Sequence, residues 1–273
     1  STVEHLLAAF YIAGVDNALV EVNCEEVPIM DGSAKDYLAA LKKNKLISLT
    51  KKRKYLQMKD TVELKDGKRM ISIKPSHKSF EVDFQLNYQN KLISNQKNKV
   101  NFQMDKLKDV INSRTFCLFE DIEKIKKIGL AKGGSLDNAV VVDENKVLND
   151  GGLRNEKEFV NHKILDLAGD FLLSGYRVLG KVSCFRGGQK HFLHSTGTRL
   201  LPTLTLVNAP RYRTHPRVSL SDQLESPSAS SSPTRSGSRG RQSSHRPQRL
   251  LGLPSTARAP HWTTNVALLD CAA

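Results

Sequence analysis

The chain has 273 residues, of which 39% are hydrophobic, and carries a formal net charge of +14, so it is long enough for one large core or two modest ones. No run approaches the roughly 18 consecutive apolar residues of a membrane span, and we expect no transmembrane segment. The cysteines, at positions 24, 117, 184 and 271, form no CxxC pair or regular framework. Such scattered cysteines are typical of a reducing compartment and predict a cytoplasmic protein.

The composition changes near residue 190. Up to that point Lys outnumbers Arg by 26 to 6, whereas the later residues contain 10 Arg, no Lys and 8 of the 10 Pro. The charge divides evenly, since 32 basic less 25 acidic residues give +7 before the change and 10 less 3 give +7 after it. The Ser-rich run at 226–244 cannot bury enough apolar surface to offset its ordering entropy. We therefore predict that residues 191–273 form a basic, mostly disordered tail.

That basic tail has two interpretations. An Arg-rich disordered segment could hold nucleic acid or an anionic membrane nonspecifically, or it could simply stay solvated. Aromatic residues, on which bases would stack, are nearly absent from it. We expect no specific nucleic-acid partner.

The first predicted element is a helix, because apolar residues recur at helical intervals from Val3 to Tyr11 and Gly14 then stops the pattern. Ser1 and Glu4 have the spacing of a capping box at its start. The following strand, turn and helix are predicted at residues 18–22, 28–33 and 35–42. Together these elements form a partial first domain, residues 1–48.

Beyond a connection at 45–54 the hydrophobic period changes to two, and Asp66-Gly67 favours a tight hairpin turn between two strands. The next predicted elements are a strand at 80–86, a helix near 119–125 and a strand at 139–142. A long helix then begins with Asn155 and Glu158 as its capping pair and runs to Gly175. The fold class is α+β, and residues 55–190 form the second domain.

The long helix carries His162, Asp166 and Asp170 at spacings of four, so these side chains lie on one face. Such a stripe faces either water, where a His-Asp pair gives weak support to the helix, or a site. A zinc hydrolase needs about three protein ligands, an open position for water and a carboxylate that takes the water's proton. His5, His162 and Asp166 meet the ligand count, and Glu4 is the candidate base. Spacing alone does not show that the two helices meet.

Six short motifs occur in a fixed order: Ser-Thr-Val-Glu-His-Leu (1–6), Pro-Ile-Met-Asp-Gly-Ser-Ala (28–34), Ser-Arg-Thr-Phe (113–116), Gly-Gly-Ser-Leu-Asp-Asn-Ala (133–139), Val-Leu-Asn (147–149) and His-Lys-Ile-Leu-Asp (162–166). They resemble those of UDP-3-O-acyl-N-acetylglucosamine deacetylase, the zinc amidase of lipid A synthesis in Gram-negative bacteria. The resemblance covers about residues 1–188. It implies a two-domain α/β sandwich whose first domain is incomplete here, because the family carries further residues before the Thr-Val-Glu-His segment.

The resemblance also implies the metal site and the reaction. His5, His162 and Asp166 match the residues that hold Zn²⁺ in this family, and Glu4 matches the base that takes a proton from the attacking water. The predicted function is zinc-dependent hydrolysis of the N-acetyl group of UDP-3-O-(3-hydroxyacyl)-N-acetylglucosamine, with water as co-substrate and acetate as product. This is the committed step of lipid A biosynthesis. We expect a monomer.

Further roles follow from the same resemblance. Thr115 matches a hydroxyl that supports the oxyanion, Phe116 a contact near the sugar and acyl chain, and Lys163 a charge placed for the diphosphate. Asp170 matches the carboxylate that orients a catalytic His. Taken alone, Thr115 also fits a capping hydroxyl, Phe116 a core residue and Lys163 a solvated helix charge. Residues 117–145 resemble the family's insert around the acyl chain, although an ordinary core unit fits them equally well.

One position departs from the family pattern. The general-acid His of the family directly follows a Gly, and the matching residue here is Gln189, which cannot donate a proton to the leaving amine. His191 and His194 lie nearby, and either could substitute. Because the composition changes at this point, we expect residues 190–273 to derive from an altered reading frame and to be unrelated to the enzyme. The alternatives are an impaired, truncated homologue that binds zinc or nucleotide-sugar, and a basic interaction protein acting through its tail.

Overall fold

A computed structural model describes residues 3–23, 26–44, 46–127, 133–186, 204–208 and 265–269. These residues form a mixed α and β fold, which confirms the predicted class. The helices are α1 Glu4–Ala13, α2 Lys35–Lys43, α3 Lys108–Asn112, α4 Phe119–Lys127 and α5 Glu158–Leu172. The strands are β1 Ala18–Val22, β2 Lys54–Met58, β3 Val62–Asp66, β4 Arg69–Pro75, β5 Phe80–Gln85, β6 Lys97–Asn101, β7 Phe116–Leu118, β8 Val140–Asp143, β9 Lys146–Val147, β10 Arg177–Phe185, β11 Leu204–Asn208 and β12 Asn265–Leu269.

The strand β10 is the centre of the main sheet. It pairs antiparallel with β4 and parallel with β5 along residues 180–185, and parallel with β2 along residues 177–179. The predicted hairpin is confirmed, because β3 and β4 pair antiparallel around Gly67, whose φ is 55°. Strand β5 alternates buried Phe80, Val82 and Phe84 with half-buried polar residues, as its period of two predicts. One face of this sheet therefore covers the core.

The helices α1 and α5 pack against each other over that face. Aromatic rings join the layers, since the ring of Phe80 in β5 lies 5.3 Å from that of Phe171 in α5 and 5.5 Å from that of Tyr11 in α1. The buried apolar cluster runs without a break from α1 and α2 to the sheet. Both segments that carry the candidate ligands are thus anchored in one core.

A second, smaller unit adjoins α5. Strand β7 pairs parallel with β8 in the register Phe116 to Val140, and α4 lies between them along the chain. Strand β9 then pairs antiparallel with β8. The predicted helix near 119–125 and the predicted strand at 139–142 are parts of this βαβ arrangement. It begins beside the Ser-Arg-Thr-Phe motif.

The start of α5 differs from the prediction. The helix begins at Glu158 with Lys157 as its N-cap, and no side-chain capping bond is made. Asn155 instead uses its side chain to donate to Ser113 Oγ at 3.1 Å. Glu158 is fully buried and accepts hydrogen bonds from Arg114. The predicted capping pair was therefore wrong, because tertiary partners take both side chains.

Two segments of the predicted tail form strands. Strand β11 pairs antiparallel with β2, and β12 pairs parallel with β1. The remaining tail residues, on which the disorder prediction falls, and Ser1 of the predicted capping box lie outside the described residues. None of the helices in the described ranges has both the length and the apolar character that crossing a membrane requires.

Candidate metal centre

The side chains of His5, His162 and Asp166 converge where α1 crosses α5. The two imidazole Nε2 atoms lie 3.5 Å (His5) and 3.1 Å (His162) from Asp166 Oδ1, and the ring centroids are 4.9 Å apart. Each residue is at most 5% exposed. One potential ligand atom from each lies within 4.8 Å of the others, and within the described ranges this is the group of His and acidic residues that could hold a metal ion. The fold thus brings together ligand candidates more than 150 residues apart in the sequence.

The hydrogen bonds of the candidate ligand atoms leave them able to bind a cation. His162 Nδ1 lies 3.1 Å from the carbonyl oxygen of Ser113, and because a carbonyl only accepts, Nδ1 carries the hydrogen and Nε2 keeps a free lone pair. Although His162 Nε2 and Asp166 Oδ1 are close, their geometry is not that of a hydrogen bond, and both buried atoms lack such a partner among the described residues. Buried polar atoms without partners are costly. A divalent ion bound by nitrogen and oxygen donors would satisfy both.

The charges around the site favour the protonation states that ligands need. Burial works to raise the pKa of Asp166, but the pKa lies well below its ordinary value, and the charge of Lys163, whose Nζ lies 2.9 Å from Asp166 Oδ2, contributes to this lowering. Burial lowers the pKa of His162. These two shifts favour an ionised Asp166 and a neutral His162, which are the forms that bind a metal ion.

Two further carboxylates lie around this cluster. Glu4, in the first turn of α1, directly precedes His5 and is half-buried. Burial, reinforced by the charges of Asp166 and Glu4, raises the pKa of Asp170 to about 7. Asp170 therefore belongs to the electrostatic environment of the site. Its expected partner, a catalytic His replaced by Gln189, falls outside the described residues, as do His191 and His194.

Phe116 and Lys163 lie at the edge of the cluster. Lys163 Nζ is 5.4 Å from the centroid of the Phe116 ring, which itself lies 6.4 Å from the His162 ring. The preceding residue, Thr115, is fixed through its backbone, since its N–H donates to Gly32 O and its carbonyl accepts from Val140 N–H, each at 2.7 Å. Phe116 and Lys163 thus border the metal cluster, and Thr115 directly precedes Phe116 in the chain.

Sequence reasoning missed a buried ion pair that supports the site. Arg114 Nε donates to Glu158 Oε1 at 2.8 Å, and the backbone N–H groups of Arg114 and Arg154 donate to the same carboxylate at 3.1 and 2.6 Å. The pair joins the start of α5 to the segment whose Ser113 carbonyl orients His162. The sequence signal for this pair was Glu158, a charged residue on the buried side of an otherwise apolar helix. It was interpreted as part of a capping box because of its spacing from Asn155.

Comparison with known proteins supplies the context for this geometry. The sequence model of the LpxC family, UDP-3-O-acyl N-acetylglycosamine deacetylase, matches residues 1–203, beyond the boundary at 188 that the motifs indicated. Proteins named UDP-3-O-acyl-N-acetylglucosamine deacetylase from Shewanella violacea and Helicobacter pylori are both 40% identical to the chain, over 75% and 70% of it. The one from Haemophilus ducreyi is 37% identical over 74% of the chain. The alignments cover 66%, 64% and 65% of these relatives, so the chain spans less than two thirds of their length.

Proposed function

The chain belongs to the UDP-3-O-acyl-N-acetylglucosamine deacetylase family, and we propose that it hydrolyses the N-acetyl group of UDP-3-O-(3-hydroxyacyl)-N-acetylglucosamine in a zinc-dependent reaction that releases acetate. The observation that carries the proposal is the convergence of His5, His162 and Asp166 at one buried point. A family resemblance by itself would not require these three residues to meet in this chain. A cytoplasmic location and a monomeric state stay predictions.

In this proposal the three converging residues hold the zinc ion. When bound, zinc acts as a Lewis acid that polarises the amide carbonyl and makes water a better nucleophile. The protein prepares the ligands: Ser113 fixes the tautomer of His162, and Lys163 keeps Asp166 ionised. The set of two imidazoles and one carboxylate leaves a coordination position for water and substrate.

Glu4 is the proposed general base. Its position next to His5, on the helix turn that lies against α5, supports this role. It would accept the proton of the attacking water, while the Thr115 hydroxyl would donate to the oxygen that becomes negative. The backbone of Thr115 is held from both sides, by Gly32 and Val140, so little reorganisation would be needed.

Lys163 and Phe116 are the proposed substrate contacts. The ammonium of Lys163 donates to Asp166, and because a lysine has three N–H donors, two remain for a diphosphate oxygen. The adjoining βαβ unit exposes apolar side chains, with Phe119 53% and Leu136 48% exposed. In the proposal this surface contacts the acyl chain of the substrate.

Slow turnover with intact zinc binding is the second candidate, favoured by the glutamine at position 189. Losing a general acid typically lowers a rate by about 10²–10⁴ without removing the metal. The two candidates make different predictions for the same protein. A chain with normal turnover and a chain with slow turnover would both bind zinc, so metal content tests whether the site exists. The rate of acetate release then distinguishes normal turnover from slow turnover.

The test is metal analysis and a deacetylation assay on the purified 273-residue chain, together with Asp166→Asn and Gln189→His. A matched control is His77→Asn, which removes an exposed imidazole far along the chain from the cluster. We expect about one zinc per wild-type and control chain and loss of zinc in Asp166→Asn. Acetate release by Gln189→His alone would identify the missing acid as the defect. A wild-type chain that binds no zinc would refute the proposal.

A further inference from the structure

The first turn of α1 lies against Gly169 of α5 with no space for a side chain. A Cβ atom at position 169 would lie 2.1 Å from the carbonyl oxygen of Glu4, 2.8 Å from its carbonyl carbon and 3.0 Å from its Cα. These are backbone atoms, so no side-chain rotation could relieve the contact. Reaching 3.0 Å from the carbonyl oxygen, the lower limit for real Cβ atoms, requires a displacement of about 0.9 Å (3.0 − 2.1).

This contact joins the two halves of the ligand set. Gly169 lies three residues after Asp166, and Glu4 directly precedes His5. The contact therefore sets the distance between the backbones of α1 and α5. At that distance His5 Nε2 lies 3.5 Å from Asp166 Oδ1. Zinc sites tolerate deviations of only about 0.2 Å in their ligand distances. A displacement of the size that a methyl group demands would exceed that tolerance.

The other end of α1 is fixed, so the helix cannot simply slide away. The buried Arg177 guanidinium donates to the carbonyl oxygens of Phe10 and Tyr11 at 3.0 and 2.6 Å. A side chain at 169 would therefore tilt the first turn of α1, which is the turn that carries Glu4 and His5. Glycine is also among the least favourable residues for a helix interior, so helix propensity does not account for its presence in α5.

We propose that Gly169 is a positioning residue, whose missing side chain sets the distance between His5 on α1 and the two ligands on α5. This inference rests on the proposed function for the identity of the bound metal. Gly169 has no side chain that could bind substrate or metal, and it acts through the backbone of Glu4.

The test compares zinc affinity of the full chain in Gly169→Ala and two matched glycine variants. In Gly180→Ala the new Cβ meets the Ile73 side chain at 2.9 Å in the sheet, and in Gly133→Ala it meets no atom within 4 Å. Competition with a chromophoric chelator measures zinc binding, and the visible spectrum of the Co²⁺ form reports ligand geometry. We expect Gly169→Ala to weaken zinc binding by about 10- to 100-fold and to alter the cobalt spectrum. Gly180→Ala should lower thermal stability but leave both readouts unchanged.

Other outcomes would overturn the inference. Zinc binding by Gly169→Ala within about twofold of wild type would do so, as would failure of this variant alone to fold, since the contact would then serve the whole fold. A wild-type chain without zinc affinity would refute the proposed function separately. Hydrogen exchange of residues 4–13 would then decide the positioning role. We expect faster exchange there in Gly169→Ala than in Gly180→Ala, and equal exchange would refute it.

Discussion

Removing one partner of the ion pair between Arg114 and Glu158 should destabilise the protein strongly. The Glu158 side chain is fully buried, and that of Arg114 is 7% exposed. Arg114 donates from its backbone N–H, Nε and Nη2, at 3.1, 2.8 and 3.3 Å, and Arg154 adds a backbone N–H at 2.6 Å. Arg114→Met would remove the only guanidinium within this set and leave a desolvated carboxylate.

The magnitude follows from that burial. Breaking a buried pair by removing one partner costs about 3–5 kcal/mol, because the remaining charge is uncompensated. The double variant Arg114→Met with Glu158→Met removes both charges, so it should cost less than the sum of the two single variants. For comparison, the exposed pair Lys124–Asp121 has side chains 73% and 42% exposed, and solvent screening leaves pairs of this kind with little effect on stability.

Urea denaturation of the metal-free chain measures these differences, with Lys124→Met as the matched control. Zinc binding of the single variants should fall as well, since the segment held by Arg114 also provides the Ser113 carbonyl that fixes His162. Equal destabilisation by Arg114→Met and Lys124→Met would show that the pair is worth no more than a surface contact. Additive single variants would show that the two charges are not coupled.

Three other perturbations probe the supports of the site. Burial works to raise the pKa of Asp31, but hydrogen bonds from neighbouring side chains hold it at about 2. The ionised carboxylate therefore stabilises the protein fully above the ordinary pKa of 3.8, and this stabilisation is lost as the pH falls through about 2. Thermal melts should show the stability difference between the wild type and Asp31→Asn shrinking between these two pH values. Arg177→Met, which removes two charged hydrogen bonds to the last turn of α1, should cost about 2–4 kcal/mol by urea denaturation, whereas Arg177→Lys should recover part of it. In Gly32→Ala the new Cβ would lie 1.9 Å from Asn138 O, and denaturation should reveal a loss of about 1–3 kcal/mol beyond that of Gly67→Ala, which shares the positive φ without the clash.

Local patterns predicted the elements of this fold well. The helical interval from Val3 to Tyr11, the alternation along β5 and the turn at Gly67 all depend on residues close together in the sequence. Such patterns follow from the periods of helix and strand and need no knowledge of partners. The spacing of His162 and Asp166 belongs to this class, because one helix fixes both.

The meeting of His5 with that helix could not be derived in the same way. No local rule brings α1 onto α5, and the motif resemblance alone indicated it. The capping pair Asn155 and Glu158 shows the opposite case, in which a local rule made a wrong prediction. A buried carboxylate gains more from a charge-assisted bond to Arg114, 44 residues away, than from one backbone N–H at a helix end. Periodicity contains no information about that distant competitor.

The proposed ligands and the proposed proton donor belong to different segments of this chain. His5, His162 and Asp166 belong to helices buried in one core, and Gly169 closes their packing. The proposed donor position, Gln189, instead follows β10 in the chain, and β10 ends at Phe185. We predict that Gln189→His changes turnover and leaves metal affinity intact, because the proposed ligands are His5, His162 and Asp166 and not residue 189. Metal content therefore reports on the ligand residues, and the activity of the zinc-loaded chain reports on the proton donor.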